Sequence, residues 1–412
     1  MNPLESLASE AARLDAADPL TPLRGRFHHP DPLTPGGDHI IYLTGNSLGL
    51  QPRSARRALE ERMVQWDSMA VRAWHDADWM DIEASLAELM APIVGANPAE
   101  VAVGGSLTAN IHHLMATFYR PADGRTKILM EADAFPSDQY AVASQVDWHG
   151  LVPSAEVVMV EGDDDAVLEA IEIHRESLAL VLLAGINYYT GRVFDMGRIS
   201  AAARSAGATV GLDLAHAAGN VPLRLHDWNV DFAAWCGYKY LNGGPGAPAA
   251  FFVHEQHHGT EAPRLAGWWG HDPASRFLMP DAFSPAPGAA GWQISTPSVL
   301  ALAPLEASLS LFREVGFERL VARSRRLTAF LDRAIQEALG TRVRVLTPPE
   351  RGAQLSLKVE GGRTTFERLS AAGVVCDWRE PDVIRAAPVP MYNSFGEMVE
   401  FCERLGASLP DS

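Results

Sequence analysis

Residues 209–246 are TVGLDLAHAAGNVPLRLHDWNVDFAAWCGYKYLNGGPG. It holds two short apolar runs, Thr209–Asp213 and Asp231–Trp235. The first ends in a carboxylate, Asp213. The second leads within four residues to Lys239, set between Tyr238 and Tyr240 and followed by the Gly-rich loop Gly243-Gly244-Pro245-Gly246. Runs that are apolar at nearly every position suit parallel strands covered on both faces. Working outward, similar runs occur at Lys127–Glu131, Val157–Val160, Leu178–Ala184 and Ala249–Val253, with helical segments between them. Strand and helix in alternation predict an α/β doubly wound fold, a mostly parallel sheet sandwiched by helices. The Pro/Gly/Ala-rich stretch Pro280–Gly291 interrupts the pattern. Beyond it we expect a long helical region at 297–339, strands near 343–346 and 355–359, a helix near 365–372 and a closing helix from Phe395. The expected organisation is an N-terminal arm at 1–53, a large α/β domain at 54–295 and a smaller α+β domain at 296–412.

Composition narrows the function classes. The 412 residues include 51 acidic and 34 basic side chains, a formal net charge of −17, and no Lys/Arg-rich run. A nucleic-acid or anionic-membrane partner would need a basic footprint, so neither is expected. The longest apolar run, Leu178 to Ile186, is far short of the ~20 residues that span a bilayer. The N-terminal MNPLESLASEAARLDAADPL lacks the apolar core of a signal peptide. Three scattered cysteines, Cys236, Cys376 and Cys402, show no CxxC spacing. That pattern predicts a reduced, cytoplasmic protein without disulfides or a zinc site. The pairs His28-His29, His112-His113 and His257-His258 lack metal-ligand spacing, and no metal is expected. No GxSxG elbow, GxGxxG turn or P-loop lysine is present.

In open α/β sheets ligands gather at the carboxyl ends of the strands, and four motifs fall there. Gly104-Gly105-Ser106-Leu107-Thr108 opens a helical run. It reads either as a phosphate cradle or as an ordinary capped helix start. Ala134-Phe135-Pro136-Ser137-Asp138 follows the strand KILME, where Phe135 could stack on a flat ring or merely pack. Asp213, with His216 three residues on, could face a pyridine nitrogen and keep it protonated, or simply cap the next helix. The chain has only three lysines, Lys127, Lys239 and Lys358. Lys127 opens a strand and Lys358 sits in an alternating one, whereas Lys239 has the apolar, aromatic setting of a Schiff-base amine. Asp213 and Lys239 together therefore point to pyridoxal 5′-phosphate and to chemistry on an amino acid.

These residues carry a family likeness. Residues 41–52 (IYLTGNSLGLQP), the FPSD loop, DLAHAAGN, DWNVDFAAWCGYKYLN at 227–242, GWWGH and RAAPVPMYNS at 385–394 together resemble kynureninase, over about residues 25–407. DLAH with a following lysine resembles the broader fold-type I, PLP-dependent transferase-like group, which includes cysteine desulfurases. The resemblance implies a hydrolase that cleaves the Cβ–Cγ bond of L-kynurenine, or its 3-hydroxy form, in tryptophan catabolism. It implies that Lys239, Tyr238 and Asp213 are catalytic. Leu107 and Thr108 would hold the cofactor phosphate; Phe135, Pro136, Ser137 and Asp138 would meet the ring, with His216 beside it. Trp268 and Thr296 would reach the phosphate of a partner subunit, implying a homodimer with a shared site. Arg385 would clamp the substrate carboxylate, Ser47 would line the substrate side, and Arg72 stands where animal relatives carry a substrate-contacting histidine. The arm at 1–53 would join the small domain and the substrate site. Ala184 departs from an expected Ser or Thr, leaving one cofactor hydrogen bond to Asn187 or a water. The competing readings are a cysteine desulfurase or selenocysteine lyase, with Cys376 as nucleophile, an aminotransferase of the same fold, and a non-catalytic PLP-binding protein.

Overall fold

The computed structural model describes residues 3–34, 37–122 and 124–411. A short strand β1 (Ile41–Tyr42) precedes the main sheet. That sheet contains β2 (Val101–Val103), β3 (Lys127–Glu131), β4 (Val157–Val160), β5 (Leu178–Ala184), β6 (Thr209–Asp213), β7 (Phe232–Trp235) and β8 (Ala250–Val253). Their spatial order is β2-β8-β7-β6-β5-β3-β4, and only β8 runs against the rest. The period of two along each strand explains why both faces are apolar. Ile128, Met130, Leu180, Leu182, Phe232 and Ala234 bury into one core. Leu129, Val181, Leu183, Val210, Leu212 and Trp235 bury into the other. Gly211 is required by this packing, because a Cβ there would sit 2.2 Å from the Phe232 ring on β7. The α/β architecture and all six strands expected from apolar runs are present, as β3 to β8.

A second sheet, β12 (Asp377–Arg379), β13 (Val383–Ala386), β10 (Leu355–Val359) and β9 (Val343–Val345), is antiparallel in that spatial order. The helices Phe317–Leu339 and Phe395–Ser408 pack with it around a separate core. Ser394 and Glu397 start the last helix with a reciprocal capping box. Strand β11 (Val374–Val375) pairs in parallel with β1, so the early chain is stitched to the late chain.

Two elements differ from the sequence reading. Residues 3–17 form a helix in what reads as a Pro/Asp-rich arm. Leu7 and Ala11, one helical turn apart, bury against the C-terminal core. Asp15 accepts from the Phe395 and Gly396 backbone N–H groups, each at 2.9 Å, and Asp18 pairs with Arg323 at 2.7 Å. The long helix expected at 297–339 is two helices, broken at Gly316, whose φ of 87° suits glycine. Val299–Val315 lies against the helix Arg53–Met69 and contributes to the core of the large sheet, whereas Phe317–Leu339 faces mainly the C-terminal core.

Candidate active site

A cavity of about 360 Å³ opens at the carboxyl ends of β3, β5 and β6. Its floor is acidic. Asp213 is the last residue of β6, flanked in register by Ala184 of β5 and Ala234 of β7. The Ala215 N–H donates to Asp213 Oδ1 at 2.7 Å. Burial raises the Asp213 pKa. Asp138, from the helix Pro136–Trp148, shares a hydrogen bond with Asp213, and burial plus the Asp213 charge push its pKa up strongly. Glu131 ends β3 beside them, pushed up to about 8 by burial and by the Asp213 charge. Neither Glu131 oxygen, nor Asp138 Oδ1, has a hydrogen-bond partner among the described residues. Three buried carboxyl groups thus face the cavity with Lys239 as their nearby cation, a surplus that a protonated ring nitrogen would satisfy.

Lys239 Nζ lies 3.2 Å from His216 Nε2. Burial and the charges of Lys239 and Arg385 hold His216 well below its ordinary pKa, so the imidazole is neutral at physiological pH. The Lys239 loop is fixed from outside by the early chain. Gly49 N–H donates to the Tyr238 carbonyl at 2.9 Å, and a Cβ on Gly49 would meet the Lys239 carbonyl at 2.5 Å and Asn242 Oδ1 at 2.2 Å. Burial pushes the Tyr238 phenol far up, with the Cys236 thiol as its hydrogen-bond neighbour, so it stays protonated. Opposite, two helices point their N-termini at the cavity. Ser106 precedes the helix Leu107–Phe118, and Thr108 Oγ1 meets Ser137 Oγ of the second helix at 2.8 Å. Free N–H groups and two dipole ends converge there, the donor set of a phosphate site. Phe135, at the mouth, packs edge-on against Tyr188 with ring centroids 5.2 Å apart. This set of carboxyls, amine and N–H donors fits pyridoxal phosphate.

The remaining wall is basic. Arg385 on β13 is 1% exposed and grips Asp377 on β12 through two bonds, Nε to Oδ1 at 2.6 Å and Nη2 to Oδ2 at 2.5 Å. Its Nη1 donates to the Tyr188 carbonyl at 2.8 Å. Ser47 Oγ donates to Asp377 Oδ2 at 2.6 Å. Burial alone would raise Asp377, yet Arg385 and Ser47 hold its pKa below the ordinary value. Arg379 also lines the cavity.

Of the residues singled out from sequence, Ser47, Leu107, Thr108, Phe135, Ser137, Asp138, Asp213, His216, Tyr238, Lys239 and Arg385 line this one cavity. Pro136 is the first residue of the Asp138 helix. Trp268, Thr296 and Arg72 do not line it: Trp268 is exposed, Thr296 lines a neighbouring cavity with Gly104 and His113, and Arg72 is an exposed residue 3.8 Å from Asp76. Asn187, the expected substitute for the missing hydroxyl at Ala184, spends its Oδ1 on Tyr189 and Thr190 and its Nδ2 on the Asp133 carbonyl. Glu131, Tyr188, Asp377 and Arg379 were not foreseen. Glu131 carries the same signal as Asp213, a carboxylate closing an apolar strand. Cys236, Cys376 and Cys402 are all buried and none lines the cavity. Elsewhere, Glu100, His226 and His254 cluster closely, but Glu100 meets His226 Nδ1 and accepts from the Asn97 and Glu255 N–H groups, and His254 Nδ1 accepts from the Gln256 N–H.

Comparison with known proteins gives a consistent picture. Residues 320–405 match the family model described as kynureninase C-terminal domain. The chain is 50% identical to the kynureninase of Xanthomonas axonopodis pv. citri, and 49% to that of Xanthomonas euvesicatoria pv. vesicatoria, covering 97% of each sequence in both alignments. Among solved structures it resembles a C-DES mutant with glycine covalently linked to the PLP cofactor, with a TM-score of 0.78 at 19% identity over 93% of this chain and 98% of that one. It also resembles a cysteine desulfurase from Thermococcus onnurineus, with a TM-score of 0.75 at 17% identity over 89% and 94%. At such identities these two likenesses establish the fold.

Proposed function

The chain belongs to the kynureninase family, and on that premise we propose that it hydrolyses L-kynurenine, or its 3-hydroxy form, to anthranilate (or 3-hydroxyanthranilate) and L-alanine. It is a hydrolase of a carbon–carbon bond in a ketone, its cofactor is pyridoxal 5′-phosphate, and its place is in tryptophan catabolism. The observation that carries the reading is one cavity holding Lys239, the buried Asp213–Asp138 pair and the Arg385 wall.

Pyridoxal phosphate, when bound, supplies a carbonyl that takes up an amino group and a protonated ring that draws electrons from the α-carbon. Lys239 is the amine to hold that carbonyl. With the cofactor bound, its Nζ would be the base placed to take the substrate's α-proton and to return protons later. Asp213 would hold the ring nitrogen, supported by Asp138, and their acidic surplus would keep that nitrogen protonated. Leu107, Thr108 and Ser137 would hold the phosphate at the two helix ends, and Phe135 and His216 would meet the ring, with Pro136 setting the turn. Tyr238 keeps its proton and serves the phosphate and proton relay. Arg385 and Ser47 bind and orient the substrate carboxylate. Water adds to the γ-carbonyl, the Cβ–Cγ bond breaks, anthranilate leaves, and the three-carbon remainder is protonated and released as alanine.

The assembly belonging to this reading is a homodimer with a shared site. Support comes from Trp268, Thr296 and Arg72 lying outside their own chain's cavity, and from the apolar side chains Trp268, Phe277, Leu278 and Met279 being exposed. The division into an arm at 1–53, a large unit at 54–295 and a small unit at 296–412 is supported by the burial of Leu7 and Ala11 in the C-terminal core; helix Val299–Val315 bridges the two units. A cytoplasmic location fits three unpaired cysteines, and no helix among the described residues is long and apolar enough to cross a membrane. The deciding experiment incubates the purified, cofactor-loaded protein with L-kynurenine and follows anthranilate fluorescence. Absence of anthranilate would sink the proposal.

A further inference from the structure

Arg385, the expected carboxylate clamp, is already engaged. Its side-on fork, Nε with Nη2, is filled by Asp377, and Nη1 holds the Tyr188 carbonyl. What remains for a ligand is its end-on edge, where Nη2 reaches Ser47 Oγ only at 3.4 Å. That edge can still meet a carboxylate, but the charge behind it is already offset by Asp377.

Arg379 is in the opposite condition. It lies two residues beyond Asp377 on β12, so both side chains leave the same face of the strand. Asp377 is in register with Arg385 on β13, which places all three charged groups on one patch. Arg379 is 35% exposed and lines the cavity. Its one ion pair among the described residues is a long contact, Nη2 to Asp377 Oδ2 at 3.4 Å. Its Nε is buried and finds no acceptor among the described residues. A guanidinium has five N–H donors, and a buried one without a partner costs free energy until something accepts from it. Burial and the Arg385 charge lower the Arg379 pKa, which fits a cation short of counter-ions. The charges on this wall are two guanidiniums and one carboxylate, leaving one positive charge unbalanced. A single carboxylate from a ligand balances it.

We propose that Arg379 is a second carboxylate-binding residue of this site, taking the substrate's α-carboxylate jointly with the end-on edge of Arg385, while Asp377 holds the two guanidiniums apart and in place. The inference rests on the amino-acid-hydrolase reading above and specifies how that site selects a carboxylate. Arg379 supplies the pairing that Arg385 has given to Asp377.

The test uses the full-length, cofactor-loaded Lys239→Ala protein, so that binding is read at equilibrium without turnover. Isothermal titration with L-kynurenine and with its carboxamide is compared with and without Arg379→Gln. Loss of one charge-assisted pair should weaken the acid about 10- to 100-fold, leave the carboxamide within about 2-fold, and be partly recovered by Arg379→Lys. Equal weakening of acid and carboxamide would mean a merely structural role and overturn the proposal, as would acid binding that ignores Arg379→Gln. Failure of the Arg379-containing protein to bind L-kynurenine at all would overturn the functional reading along with it.

Discussion

Replacing Glu131 by Gln should flatten the pH dependence of the cofactor-free protein's stability. Glu131 is buried at the end of β3, neither of its oxygens has a partner among the described residues, and its pKa stands raised from 4.5 to about 8. Within that window the folded chain keeps a proton that the unfolded chain has released. The folded state therefore binds more protons, and stability falls as pH rises. Below the unfolded value both states are protonated and the group costs nothing; above the folded value the loss is complete. The slope approaches about 1.4 kcal/mol per pH unit, so between about pH 5 and pH 7 Glu131 alone should remove roughly 2–3 kcal/mol. Glutamine has nearly the same shape and no proton to lose. Urea unfolding of both proteins at several pH values gives the difference curve, which should favour the variant increasingly as pH rises. Parallel curves would refute the reasoning, because they would mean that Glu131 ionises in the fold as readily as in the open chain.

Lys239→Ala should abolish anthranilate production, and borohydride treatment of the loaded variant should leave no cofactor on the chain; retained turnover would remove Lys239 from its role. Asp377→Ala should destabilise the protein by about 3–5 kcal/mol, because it strands the buried Arg385 without its main partner. In a double-mutant cycle with Arg385→Ala the two losses should be far from additive, and additivity in denaturant midpoints would show that the pair is not coupled.

Much of the site was legible because its chemistry sits where strands stop. Asp213 and Lys239 each close or follow an apolar run, and in a parallel sheet such positions share one edge. The same rule would have found Glu131, whose strand KILME ends in a carboxylate in the same way. Of the basic wall, Arg385 and Ser47 were reached only through the family resemblance, and Asp377 and Arg379 were not legible at all. Strand β12 is three residues, Asp-Trp-Arg, at the edge of an antiparallel sheet, and no alternation of apolar residues marks it. Its importance comes from register with β13, a pairing that short-range pattern does not encode. The helix at 3–17 was hidden for a related reason: its buried face is completed by Phe395–Ser408, nearly four hundred residues away, so local composition looked like an acidic arm.

The two walls of the cavity belong to different cores, and that makes residues 41–49 more than a family signature. The acidic floor hangs from the large sheet, whereas Asp377, Arg379 and Arg385 hang from the small one. An amino acid presents its charges at fixed separation, so the distance between floor and wall decides whether it fits. One segment touches both. Ile41 and Tyr42 pair with β11, Ser47 Oγ bonds Asp377, and Gly49 N–H bonds the carbonyl of Tyr238 beside Lys239. Any shift of the small sheet that moves Asp377 must therefore either break the Ser47 bond or pull on the Lys239 loop. Glycine at 49 is what lets this strap lie flat on that loop, since a Cβ would force the Lys239 carbonyl away. The spacing of the two walls thus rests on this strap together with the direct bond from Arg385 Nη1 to the Tyr188 carbonyl.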